Sequence, residues 1–574
     1  MRAAQDDFRK FLDEGEMVLD RLDACAVSHA DKVFIFDGEN HAHITFSEFK
    51  VRTDRIAAAL AGIGLPRGAP VCVLTQNSVL NALWMFAVWR AGGLFAPVNF
   101  NLRGELLSYQ VKDTNPFAVL TDADSLSILE TLTEDVKIGN LILPEQEERS
   151  AGFLKSPAVG AVHFLDQLME QGGEVPAFQR TSDELANIIY TSGTTGAAKG
   201  VVHNFRWIAQ YSYTLRAGMT EDDVIYCDLP LYHVAGAFNT VARAVWHANT
   251  VGLWNRFSAS QFWARIAECG ATSCTMIGVM IPWLMGAPAS GNDRNNTLNK
   301  VTLAPLPENH NEIARRFGID FVRATFGQTE SGSSFHAIIS EFGEDEYGTP
   351  RHLWKGLPKD QYLAQARALD YCVVDGRGKL PQGFIGKPNP MLEVAILDDR
   401  DYPCLPGTVG QIAIRPRFPG LLMREYLNKP AATLTAFSNC WFHTGDLGRA
   451  EGNGTFAWVS RMGDFCRVRG ENVSLFDVEN LVARHAKVRQ SAAIGVRADA
   501  GGEDEIAVFV ELESGQVLSV DELRVHNAAV MPRYMQPAHV FFIDVLPQTP
   551  TGKVQKHPLK PLLVKQGLQP SSAK

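Results

Sequence analysis

The sequence predicts an α/β protein with a large N-terminal domain of layered α/β subdomains, a small β-rich subdomain and a small α+β domain at the C-terminal end. Three observations carry this. From about Ile44 to Asp122 helix-period stretches alternate with short β-rich runs, and the alternation resumes at 184. Strands punctuated by Gly and Pro dominate from about 384 to 460, and residues 464–574 then read as a separate unit with strand and helix patterns of its own. At 574 residues, 46% apolar and 21% charged, the chain is long enough for two or three domains.

In chain order, the N-terminus MRAAQDDFRKFLDEGE is charged and lacks the apolar core of a signal peptide. Apolar spacing predicts helices over 49–60 and 80–90 and strands over 71–74 and 117–120. The most apolar stretch, 69–98, is interrupted by Gln76, Asn77, Asn81 and Arg90. That is too polar for the run of about 20 residues a bilayer requires, so no membrane span is expected. Residues 140–183, rich in Glu, Gln, Gly and Pro, read as irregular surface connection. Strands are expected at 392–397, 410–415 and 455–459. The C-terminal unit should hold a charged strand pair, a helix over 477–486, a strand over 506–513 and a helix near 521–530, with no internal repeat.

A formal net charge of −10 argues against binding to a nucleic-acid backbone, so a bound nucleotide should be a small molecule. Nine scattered cysteines, odd in number and without a CxxC pair, suit reduced thiols in a cytoplasm and imply no metal cluster.

The most informative segment is TSGTTGAAKG, 191–200, directly behind the apolar run 186–190. Gly193, Gly196 and Gly200 let backbone N–H groups approach an anion, Thr191, Ser192, Thr194 and Thr195 add hydroxyls, and Lys199 brings a charge. A kinase-type or GTPase-type loop needs a Gly-Lys pair followed by Ser or Thr to reach Mg²⁺. Here Ala198 precedes Lys199 and Gly200 follows it, so the metal ligand must come from elsewhere.

Further motifs stand with this loop, and together they resemble the adenylate-forming superfamily of acyl-CoA synthetases, luciferases and adenylation domains over nearly the whole chain. ITFSEF, 44–49, and AGGLFAPVNFNLR, 91–103, resemble motifs that support the fold. FGQTESG, 326–332, resembles the adenine and magnesium motif: Phe326, followed by Gly327, is the expected purine platform, Thr329 a donor to the α-phosphate and Glu330 the missing oxygen ligand for Mg²⁺. HTGDLG, 443–448, and Arg461 resemble the ribose pair, with Asp446 accepting the 2′,3′-diol and Arg461 donating. DLPLYHVAG, 228–236, resembles the motif lining the carboxylate pocket, which gives His233 the role of framing the acyl group and the thiol path. PQTPTGKVQK, 547–556, resembles the terminal motif whose lysine, Lys553, bridges the incoming carboxylate and the α-phosphate; Lys556 and Lys560 read as exposed tail lysines. SRMGDFCRVRGENVS, 460–474, resembles the interdomain hinge and the loop that turns toward CoA, which brings in Arg467 and Gly470.

The resemblance implies an N-terminal adenylation domain over 1–462 and a mobile C-terminal domain over 463–574, with its hinge at Gly463, where relatives carry Asp or Lys. It implies ATP, Mg²⁺ and CoA as cofactor and co-substrates, a small-molecule carboxylic acid as substrate, and an acid:CoA ligase acting through an acyl-adenylate. Two alternatives stay open: passage of the acyl group to a carrier protein or other acceptor, and a non-catalytic nucleotide-binding regulator. No carrier domain is expected after Lys574, and a homodimer is compatible with the sequence. Substrate hints conflict. Ala235, Gly236, Ala237 and Phe238 with 276–283 would line an apolar pocket for fatty or aryl acids, whereas PGLLMREYLNKPAATLTAF, 419–437, resembles carnitine and crotonobetaine ligases. Leu303 stands in a usual glycine place, and part of 341–381 reads as an insertion.

Overall fold

The computed structural model describes residues 2–145, 158–177, 179–191, 198–278, 280–462, 465–468, 471–497, 504–549 and 554–570. They form two compact units, the first taking the described chain to 191, 198–394 and 414–442, the second taking 395–413 and 443 onward.

In the first unit an eight-stranded sheet runs, in spatial order, Glu425–Tyr426, Gly200–Asn204, Leu185–Tyr190, Leu94–Pro97, Pro70–Leu74, Ala118–Thr121, Ile138–Leu143 and Val159–Phe164. It is parallel from Leu185–Tyr190 outward. Gly200–Asn204 returns antiparallel to Leu185–Tyr190, so the segment between them is a hairpin connection. A second array holds the parallel strands Val33–Asp37, Thr250–Leu253, Val224–Cys227, Ser273–Ile277, Lys300–Ala304 and Phe321–Gln328, after which Gly332–Ser340 turns back antiparallel.

The predicted first helix forms as Phe46–Gly62, started by a capping box between Thr45 and Glu48 and burying Phe46, Phe49, Ile56 and Leu60. The apolar stretch 69–98 folds as strand Pro70–Leu74, helix Ser78–Arg90 and strand Leu94–Pro97. That helix buries every residue from Asn81 to Arg90 and is 13 residues long, a core helix too short for a bilayer. No helix among the described residues is long and apolar enough to cross a membrane. Arg90 is tolerated inside because Asp23 and Asp54 pair with it.

The reading of 140–183 as irregular is corrected. Strands Ile138–Leu143 and Val159–Phe164 and helix Leu165–Glu170 occupy part of it. Leu141 faces Val162 across the parallel pair, and edge pairing against one neighbour is enough to order a segment whose overall composition is polar. Within 341–381, helix Lys359–Ala368 and strand Val373–Asp375 pack on the second array, with Tyr362 stacked 4.2 Å from Phe321 and buried Lys359 paired to Asp320 at 3.0 Å.

In the second unit, Phe442–Ala450 and Phe456–Arg461 form a hairpin. The expected charged strand pair is Phe465–Val468 with Glu471–Ser474. A sheet of Val488–Arg497, Asp504–Leu512 and His539–Phe542 carries helices Leu475–Ala483 and Val520–Val530 over a core that includes Val478, Val482, Val508 and Leu523. Ser474 caps the first of these helices, and Ser519 with Glu522 forms a capping box on the second.

Candidate active site

The ends of the phosphate-loop segment are pinned together. Thr191 N–H donates to the Lys199 carbonyl at 3.0 Å, and Tyr109 donates to the Ala198 carbonyl at 2.9 Å. Ser192, Gly193, Thr194 and Thr195 lie outside the described residues. Lys199 emerges at the start of strand Gly200–Asn204, and its ammonium sits over the Tyr426 ring, 4.6 Å from the centroid.

The same tyrosine donates its hydroxyl to Glu330 Oε1 at 2.9 Å. Glu330 lies on the turn between strands Phe321–Gln328 and Gly332–Ser340, not ahead of a helix. Glycine is required on both sides of that turn. Gly332 takes φ +68°, and a Cβ on Gly327 would strike the Gly332 carbonyl oxygen. The turn is held from outside: Met423 N–H donates to the Glu330 carbonyl at 2.8 Å, and His203 Nε2 to the Thr329 carbonyl at 2.7 Å. His203 is fully buried and stacked 3.8 Å from Trp207, and burial pushes its pKa down to about 3. The imidazole is therefore neutral, with its proton on Nε2, because a carbonyl can only accept. Phe326 is half-buried and meets Phe335 edge-on at 5.7 Å.

The 419–437 segment explains the position of Tyr426. Strand Glu425–Tyr426 pairs with Val201 and Val202, Leu427 N–H donates to the Gly200 carbonyl at 2.7 Å, and Lys429 pairs with Asp113 at 3.1 Å. Asp113 also accepts from Tyr190 at 2.9 Å.

His233 is half-buried ahead of the short turn Val234–Gly236, its ring centroid 4.5 Å from that of Tyr232. In the same motif Asp228 accepts from Tyr226 at 2.8 Å, and burial pushes its carboxyl up to about 6. Of the apolar wall expected beside His233, three residues differ in their surroundings. Ala237 and Phe238 are fully buried, with Phe238 packed on Trp89 and Trp207, while Trp283 is 61% exposed. The first two complete the core beneath a π-helical turn at Ala237–Ala242, and Trp283 faces solvent.

In the second unit the two residues expected to hold the ribose are in contact with each other. Asp446 and Arg461 face each other across the hairpin, and Arg461 donates to Asp446 Oδ2 at 2.8 Å. The sequence reading missed Trp458, whose indole N–H donates to Asp446 Oδ1 at 3.0 Å. The Asp446 side chain is only 5% exposed and that of Arg461 is 45% exposed, so the arginine presents the pair to solvent. Lys556 is not an exposed tail lysine: its side chain is 19% exposed and pairs with Glu479 at 2.8 Å, whereas Lys560 is exposed. Arg467 lies in strand Phe465–Val468; Gly463, Gly470 and Lys553 fall outside the described residues.

Comparison with known families gives the class of the chain, a nucleotide-handling enzyme. The model for AMP-binding enzymes matches residues 22–427, and that for the AMP-binding enzyme C-terminal domain matches 477–553. The chain belongs to the AMP-binding enzyme family. It is similar to a crotonobetaine/carnitine–CoA ligase of Shigella dysenteriae, 25% identical over 90% of this chain and 93% of that one. Its fold is shared with an O-succinylbenzoate coenzyme A synthetase of Bacillus subtilis solved with AMP, at TM-score 0.73 and 22% identity over 94% of this chain and 98% of that one. It is shared also with ATP-bound MatB of Rhodopseudomonas palustris, at TM-score 0.75 and 22% identity over 96% and 99%.

Proposed function

We propose that the protein is an AMP-forming acid:CoA ligase. The observation that carries the reading is the meeting of Glu330 and Lys199 on one tyrosine, a carboxylate and an ammonium suited to a metal-bound triphosphate. Glu330 fits Mg²⁺, a hard cation that binds through one or two carboxylates plus substrate phosphates, and the tyrosine hydroxyl engages only one of its two oxygens. When bound, Mg²⁺ supplies neutralisation of the phosphate charge.

The carboxylate of the acid attacks the α-phosphorus of ATP, and the bond from that phosphorus to the bridging oxygen of pyrophosphate breaks. An acyl-adenylate results. The CoA sulfur, its proton released, then attacks the acyl carbon, and the carbon–oxygen bond to AMP breaks. Lys199 with the glycine-rich loop holds the β and γ phosphates, Thr329 donates to the α-phosphate, and Phe326 with Gly327 receives the adenine. Asp446 with Arg461 holds the ribose. Lys553 offsets charge at the α-phosphorus in the first step, and His233 frames the acyl group. Arg467 and the Gly470 loop serve the CoA step after rotation at Gly463. No covalent enzyme intermediate is needed, since positioning and charge stabilisation supply the catalysis.

The acid is a small polar one. The similarity to crotonobetaine/carnitine ligases supports this. The test is exchange of labelled pyrophosphate into ATP with betaine-type, fatty and aryl acids, followed by thioester formation on adding CoA. Exchange with a polar acid and a CoA-dependent thioester are expected. ATP binding without exchange by any acid would return the protein to the regulator class.

A further inference from the structure

We infer that Tyr426 is a positioning residue that holds the metal carboxylate and the phosphate-loop lysine apart and in register, Glu330 on its hydroxyl and Lys199 on its ring face. The inference rests on the adenylating reading above.

The geometry is specific to tyrosine. Its hydroxyl lies 2.9 Å from Glu330 Oε1 while the Lys199 ammonium lies 4.6 Å from the ring centroid. The residue is 7% exposed, so both contacts are largely shielded from water. Its backbone cannot drift relative to either partner. Tyr426 pairs with Val201, two residues from Lys199; Tyr426 N–H donates to Thr433 Oγ1 at 3.0 Å; and Met423, three residues earlier, donates to the Glu330 carbonyl at 2.8 Å.

A glutamate and a lysine of opposite charge, converging on one small volume, would otherwise close on each other, and an ion pair between them would compete with both metal and triphosphate. The hydroxyl takes the carboxylate at the edge of the ring and the face takes the ammonium, so the two charges rest on different parts of one side chain. Each keeps a partner that leaves it open to its ligand: the hydroxyl occupies one carboxylate oxygen and leaves the other for the metal, and the π face orients the ammonium without using up its N–H donors.

The test uses the full chain with Tyr426→Phe and Tyr426→Leu. Mn²⁺ is titrated into protein loaded with α,β-methylene-ATP, with free Mn²⁺ read by electron paramagnetic resonance. Tyr426→Phe should raise the Mn²⁺ half-saturation about 3- to 10-fold, the loss of one hydrogen bond, and leave affinity for the analogue at saturating metal unchanged. Tyr426→Leu should in addition weaken the analogue at saturating metal by about 2- to 5-fold, the loss of the cation–π contact. Pyrophosphate exchange by Tyr426→Phe should recover at high Mg²⁺, a rescue that a merely structural lesion would not show.

In a cycle with Glu330→Gln, the double variant should bind metal no worse than Glu330→Gln alone; additive losses overturn the inference, as does wild-type metal affinity in Tyr426→Phe. Should Tyr426→Phe fail to fold, Tyr426→Trp, which keeps an aromatic face but not the hydroxyl position, takes its place, and wild-type Mn²⁺ half-saturation in that variant overturns the inference. Failure of the unsubstituted protein to bind Mn²⁺ with the analogue would sink the adenylating reading itself, a result distinct from any variant effect.

Discussion

The first unit gathers its functional groups from afar, and the second builds its group on one hairpin. Tyr426 reaches Glu330 across 96 positions and His203 reaches Thr329 across 126, whereas Asp446 meets Trp458 and Arg461 across only 12 and 15. Closing a long loop costs more chain entropy than closing a hairpin, so the first group depends on the sheets around it while the second depends on strand register alone. Local register makes a binding pair robust. Long-range assembly makes a metal and phosphate grip sensitive to residues that touch neither.

The largest expected effect lies outside both groups. Lys553→Ala should slow adenylate formation by about 10³-fold while leaving thioester formation from a supplied acyl-adenylate nearly intact, because the proposed mechanism uses its charge only in the first transition state. Comparable loss in both half-reactions would remove that assignment. Next comes the direct contrast. Glu330→Gln should lower the exchange rate about 100-fold and make it respond to Mg²⁺, and Asp446→Asn should raise the KM for ATP about 10- to 30-fold with a smaller change in kcat, the loss of charge-assisted hydrogen bonds. A metal response in Asp446→Asn would blur the division of labour. Trp458→Phe should raise the KM for ATP only about 3-fold, since Arg461 still orients the carboxylate.

The smallest effect tests stability and not chemistry. Burial holds His203 and His336, both in the first unit, down to about 3, far below the 6.5 of an exposed imidazole. From about pH 6.5 down toward 3 the unfolded chain binds protons that the folded one refuses, so stability falls with falling pH, by up to about 1.4 kcal/mol per pH unit for each group. His336→Leu should flatten the decline in Tm between pH 7 and 5. An unchanged slope would show that this histidine is not held neutral in the fold.

The readable part of this molecule was the part written in consecutive residues. The phosphate loop, the Glu330 turn and the Asp446 hairpin each announce their chemistry through residue types in a fixed short order, and the helices over 49–60 and 521–530 through a clear apolar period. Their capping boxes, Thr45 to Glu48 and Ser519 to Glu522, were present as Thr or Ser followed three residues later by Glu. Val159–Phe164 carries Val and Phe of its own and was hidden by the Glu-, Gln-, Gly- and Pro-rich residues on either side of it. His203 and Tyr426 were hidden because a buried imidazole or phenol acquires its role only when the fold delivers a distant carbonyl or carboxylate. Trp458 could have been found: it stands on the facing strand opposite Gly448, two residues from Asp446 and three before Arg461.

Trp458 also meets Phe476 of helix Leu475–Ala483 edge-on at 4.9 Å, while its indole N–H rests on Asp446. Trp458, one of ten tryptophans, is thus a fluorophore with one end on Asp446 and its ring against Phe476 of that helix. Indole emission responds both to a changed hydrogen-bond acceptor and to a changed aromatic neighbour. The difference between stopped-flow traces of the unsubstituted protein and Trp458→Phe would isolate this signal and time the proposed arrival of nucleotide at Asp446 without a label.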